Sequence, residues 1–118
     1  MTTYAPGVPP QNRNPQSIGF LLLDNFTLIS LASAVEPLRM ANQLSGRELY
    51  RWHTLSVDGG QVWASDGLQI TPDAAMHKAP PMDTVIVCGG IGIQRTVTRE
   101  HVTWLQGQAR QSRRLGAV

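Results

Sequence analysis

Two uninterrupted apolar runs, Ile18-Gly19-Phe20-Leu21-Leu22-Leu23 and Val85-Ile86-Val87-Cys88 with Asp83-Thr84 leading in, each stop on turn residues, Asp24-Asn25 and Gly89-Gly90. A strand that is apolar at successive residues, rather than at every second one, has to be covered on both faces. Such strands lie inside parallel sheets, and joining parallel neighbours takes a crossover of a dozen residues or more, usually a helix. One is available between the runs. From Thr27 to Leu44 the residues Leu31, Ala34, Val35, Leu38, Ala41 and Leu44 recur at steps of three and four, the helical period. Pro37 has no amide hydrogen, so the regular helix is expected to start near it, and Gly46 is a suitable stop.

Tyr50 to Val57 alternates as a second strand closed by Asp58-Gly59-Gly60. Val62 to Ser65, Asp66-Gly67 and Leu68 to Ile70 read as a hairpin on a tight primed turn. Pro72 to Met82 is a connector rich in Pro and Ala. Thr98 is placed to cap a helix over 99–111 whose apolar side is Val102, Leu105 and Ala109, with Trp104 beside it. A last strand begins at Leu115. Strand, helix, strand, hairpin, strand, helix, strand is the order of an α/β fold, a parallel sheet with helices on both faces. Residues 1–16 hold four of the eight prolines and are expected to form a flexible polar tail, leaving 17–118 as the folded unit. Leu115-Gly116-Ala117-Val118 reads as a buried strand interrupted at its opening, so that 118 residues are less than one complete domain.

Charge and cysteine content exclude several classes. Nine Arg and one Lys against eight Asp+Glu give a formal charge of +2, too little for the clustered cations that a nucleic-acid interface needs. DNA binding is not expected of this segment. The single cysteine, Cys88, rules out an internal disulfide and a multi-cysteine zinc site, which fits a reducing, cytoplasmic setting. No run approaches the roughly 18 apolar residues of a membrane-spanning helix. His53, His77 and His101 lack metal-ligand spacing, Gly90-Ile91-Gly92 lacks the third glycine of a dinucleotide fingerprint, and no metal or cofactor is expected.

Few groups remain for chemistry. Cys88-Gly89-Gly90 lies at the end of a central strand, where open parallel sheets place ligand crevices, and its amides suit an anion; a turn that merely requires glycine reads equally from the pattern. Cys88 resembles a small buried hydrophobe more than a nucleophile. Glu36 either points into the crevice or stabilises the positive end of a helix starting at Pro37. Ser30 and Ser33 have no base nearby in sequence. Tyr50, Trp52 and Trp63 are either core or faces for a quaternary ammonium group.

Taken together, Ile18 to Leu23 followed by Asn25-Phe26, then Ala34-Val35-Glu36-Pro37-Leu38-Arg39-Met40-Ala41-Asn42, Glu48 to Trp52, Ala64 to Leu68, and Asp83 to Gly90 resemble the class I glutamine amidotransferase-like (PfpI-type) domain of GlxA-type regulators in the AraC family. Within it the match is to regulators of quaternary-amine catabolism, responsive to glycine betaine and dimethylglycine or to carnitine. The resemblance implies a flavodoxin-like fold, cut before the nucleophile elbow. It also implies a C-terminal AraC domain with two helix-turn-helix units that bind DNA and are absent from this chain. Enzymes of the superfamily carry an acid where Ser30 stands, so proton transfer to an elbow cysteine lacks its partner. Glu36 matches a second acidic position that reads as structural in the regulators.

A non-enzymatic sensor is therefore expected, a homodimer that takes a small quaternary or tertiary amine near Ser30, Glu36, Cys88, Gly89 and Gly90. A PfpI-type hydrolase or glyoxalase and a plain dimerisation module are the alternatives.

Overall fold

The computed structural model describes residues 14–118. The expected polar tail falls mostly outside them, and its last residue, Gln16, opens the first strand. The elements are β1 (Gln16–Leu22), α1 (Leu28–Ser45), β2 (Tyr50–Ser56), β3 (Val62–Trp63), β4 (Gln69–Ile70), β5 (Ala74–Ala75), β6 (Thr84–Cys88), α2 (Ile93–Thr96), α3 (Arg99–Arg110) and β7 (Arg114–Ala117). Five strands form one sheet in the order β5-β2-β1-β6-β7, parallel throughout. The expected α/β architecture is present, and β5, hidden in the Pro- and Ala-rich connector, is an addition to it.

The double apolar character of β1 is used on both faces. Ile18, Phe20 and Leu22 enter one core with Phe26, Leu31, Val62, Ala64 and Cys88, roofed by α1 and the β3–β4 hairpin. Leu21 and Leu23 enter the other with Leu55, Met76, Met82 and Val85, against Trp104 and Leu105 of α3. Gly19 takes its place on the second face because a Cβ there would collide with the Met82 sulfur.

Three local expectations are corrected. The helix α1 runs unbroken through Pro37 from Leu28, instead of starting near it. Pro37 and Ser33, whose carbonyl loses its donor, are both exposed. Burial of Leu31 and partial burial of Leu28, Ala34, Val35 and Leu38 offset the roughly 3 kcal/mol that an internal proline costs. Gly46 does end the helix, at φ 70° with its N–H on the Asn42 carbonyl. In the hairpin, Gly67 N–H donates to Ala64 O and Ala64 N–H to Leu68 O. Positive φ falls on Gly67 and not on Asp66, so the connection is a three-residue turn ending in a left-handed glycine rather than a two-residue primed turn. Finally, α3 turns His101, Trp104 and Leu105 inward, while Val102 and Ala109 are exposed. Positions 101, 104, 105 and 108 share one helical face, and packing selected that face over the more apolar one. Among the described residues no helix is long and apolar enough to cross a membrane.

Candidate functional site

The chain leaves β1 for β2 on one side and returns to β6 on the other side of β1. The carboxyl ends of β1 and β6 are therefore the point where the winding reverses, the usual place for a ligand in an open α/β sheet. Two loops meet there, Leu23 to Thr27 and Gly89 to Gly92, and they interlock. Leu23 N–H donates to Cys88 O at 3.0 Å, and Thr27 N–H to Gly89 O at 3.1 Å. Asn25 Nδ2 donates to Ile91 O at 2.8 Å. A Cβ on Gly90 would strike the Asn25 carbonyl and lie 3.1 Å from Thr27 Oγ1. Gly89 N–H is also engaged, donating to Val118 O at 3.3 Å. The two glycines thus let one backbone lie directly on another, with Gly89 committed to protein hydrogen bonds.

Cys88 is fully buried in the core beneath α1. Desolvation pushes its thiol up to about 12, which keeps it protonated and weakly nucleophilic at neutral pH.

Beside the interlocked loops lies an open depression of about 410 Å³, lined by Ile29, Ser30, Ser33, Ala34 and Val118. It joins the first turns of α1 to the end of β7. Ser30 lies in the first turn of α1 beside the strand ends, with Ser33 one turn further along the same face. Glu36 does not line the depression. Six residues beyond Ser30, it is rotated by about 120° around the helix. It is exposed, and Arg39 Nη2 approaches its Oε1 at 2.7 Å. Hydrogen bonding to that guanidinium holds the carboxyl below its ordinary range.

The aromatic groups divide. Tyr50 and Trp52 pack into the core under α1, paired with Gln16 and Ile18 at the opposite end of the sheet. Trp63 is 52% exposed on the hairpin, where its carbonyl receives the Asn25 N–H at 2.7 Å.

Sequence reasoning missed Asn25 and Thr27. Asn25 holds φ at 67° and ties the loop to both Trp63 and Ile91. Asparagine's tolerance of left-handed backbone was the available signal, but the partners are far away in sequence. Chemically, the depression offers two serine hydroxyls among aliphatic side chains.

No protein-family model matches the sequence. Individual proteins do. The chain is 88% identical over all 118 residues to the HTH-type transcriptional regulator GbdR of Pseudomonas aeruginosa. It is 42% identical over 103 residues to the HTH-type regulator CdhR of the same species, and 48% over 79 residues to the HTH-type regulator GlxA of Rhizobium meliloti. It spans about a third or less of these relatives, 32%, 30% and 24% respectively. Among solved structures, an AraC family transcriptional regulator from Pseudomonas putida superposes with a TM-score of 0.75 at 27% identity, over 87% of this chain and 55% of that one. A ThiJ/PfpI family protein from Pseudomonas syringae matches at 0.68 and 18% identity, over 99% and 48%, which concerns the fold alone. Along its whole length the chain is thus similar to about a third of an HTH-type transcriptional regulator, and it folds as a ThiJ/PfpI-like α/β unit.

Proposed function

We propose that this chain is the effector-sensing part of a cytoplasmic transcriptional activator, that it performs no catalysis, and that its effector is a small quaternary or tertiary amine of the glycine betaine or dimethylglycine type. The observation that carries the regulator reading is the 88% identity to GbdR along the whole chain. The site chemistry supports binding without turnover. By the resemblance, Ser30 stands where enzymes of the superfamily carry an acid, and the depression beside it is lined by no acid or base.

The effector occupies the depression against Ser30, with Ser33, Ile29 and Ala34 around it. Cys88, Gly89 and Gly90 act indirectly, by holding the loop from which α1 starts. DNA is contacted through helix-turn-helix residues outside these 118, in a homodimer. The exposed Met40 and Leu44 on the outer face of α1 are in keeping with an apolar contact between copies. The effector acts by binding the DNA-competent state more tightly than the other, since equal affinities shift nothing.

Calorimetric titration of the full-length regulator with glycine betaine, dimethylglycine and carnitine tests the reading. Heat of binding from at least one, abolished by Ser30→Trp in a folded protein, is expected. Absence of binding by all three, or turnover of a glyoxal by the unmodified protein, overturns it.

A further inference from the structure

His101 has no part in the reading above, yet it is only 4% exposed and sits at a mechanically sensitive place. Thr98 caps α3, and the cap is closed from both sides. His101 N–H donates to Thr98 Oγ1 at 3.4 Å. In return, Thr98 N–H donates to His101 Nδ1 at 3.0 Å, and Thr98 Oγ1 lies 2.9 Å from the same nitrogen. A ring nitrogen that accepts from a backbone N–H carries no proton, so the ring is neutral with its hydrogen on Nε2. Glu or Gln usually fills this third position of a capping box, and neither changes protonation near neutral pH. Histidine does.

A proton on Nδ1 would replace the acceptor by a donor facing Thr98 N–H. It would also put a positive charge on the positive end of the helix. The charged groups acting on the ring are Glu100 on α3 itself and Asp24 on the loop after β1. Both favour the cation, but burial outweighs them and holds the imidazole below its ordinary range.

The cap follows directly on a segment that packs at the end of β6. Val97 packs on the second core, and Ile93 covers Gly89, where a Cβ would lie 2.6 Å from Ile93 Cδ1. We propose that His101 is a proton-operated latch: neutral, it closes the cap of α3 and holds 93–98 on the end of β6; protonated, it opens the cap and frees that segment. Because the open form has the ordinary pKa of about 6.5 and the closed form a lower one, the open form binds more protons. Closure is complete above about pH 6.5 and weakens as pH falls, by up to about tenfold in the opening constant per pH unit.

The test is hydrogen exchange with mass spectrometry on the full-length regulator carrying this segment, from pH 7.5 to 5.0 and corrected for intrinsic exchange, for the wild type and His101→Gln. Gln keeps an acceptor for Thr98 N–H but does not titrate. Protection of 98–102 is expected to fall with pH in the wild type and to stay flat in His101→Gln. Equal losses in both proteins, or no loss in the wild type, overturn the latch. Should His101→Gln fail to fold, nitrogen-15 shifts of the wild-type histidine rings decide instead. The Nε2–H tautomer at pH 7.5 is expected, and a proton on Nδ1 overturns the proposal.

Discussion

Substituting Gly90 by alanine places a methyl group against backbone. The added Cβ meets the Asn25 carbonyl and lies 3.3 Å from the Thr27 nitrogen, atoms that no side-chain rotation can remove. Either the loop after β1 or the loop after β6 has to move. Overpacking of this kind costs about 1–3 kcal/mol. The movement also threatens Thr27 N–H to Gly89 O and Asn25 Nδ2 to Ile91 O, at about 0.5–1.5 kcal/mol each. With partial relaxation the total is roughly 2–4 kcal/mol, and at 1.4 kcal/mol per decade that is about 30-fold to 700-fold in a local opening constant. The same substitution at Gly89 is milder, because its Cβ would meet the terminal Cδ1 of Ile93, which can rotate away. Native-state hydrogen exchange of 23–31 in the full-length regulator is the assay. Gly90→Ala should lose protection by the stated factor and Gly89→Ala by about tenfold or less. Since Thr27 starts α1 and Ser30 lies one turn on, Gly90→Ala should also weaken effector binding. Protection in Gly90→Ala within twofold of wild type, or a larger loss at Gly89 than at Gly90, would refute the interlocked-backbone account.

Further outcomes follow from the same contacts. Gly107→Ala, in the interior of α3 with nothing within 4 Å of the new Cβ, should stabilise the protein by about 0.5–1 kcal/mol, measured by denaturant titration. Asn42 accepts from Leu49 N–H at 2.8 Å and Tyr50 N–H at 3.0 Å and donates to Tyr50 O at 2.9 Å. Asn42→Ala should therefore cost about 1–3 kcal/mol after the gain in helix propensity. Cys88, with its thiol pushed up to about 12, should react with iodoacetamide at pH 8 only as fast as the protein opens, and rapidly in denaturant. Glu36→Gln should leave effector affinity unchanged, since that carboxylate is engaged by Arg39 outside the depression.

What the residues encode locally was legible before any coordinates. The two-sided burial of β1 and β6 follows from runs in which consecutive residues are apolar. The stop at Gly46 and the cap at Thr98 depend on one residue's backbone freedom and one hydroxyl. Cys88 as a buried, unreactive thiol followed from its place at the end of an apolar strand. Ser30 was singled out only through the family resemblance, because the helix was expected to start beyond it, near Pro37.

Other features depend on partners far apart in the chain, and only the tertiary structure decided them. Asn25 and Ile91, 66 residues apart, turn Gly89-Gly90 from an open crevice into a fastened joint. Pro37 remains inside α1 because the sheet beneath the helix rewards its continuation. His101 rather than Val102 faces inward because the core chose the rotation of α3. Glu36 is turned away from Ser30 because α1 continues as a helix through both. Periods and caps are short-range properties of the chain, whereas the meeting of loops and the rotation of a helix are settled by the summed contacts of the whole fold.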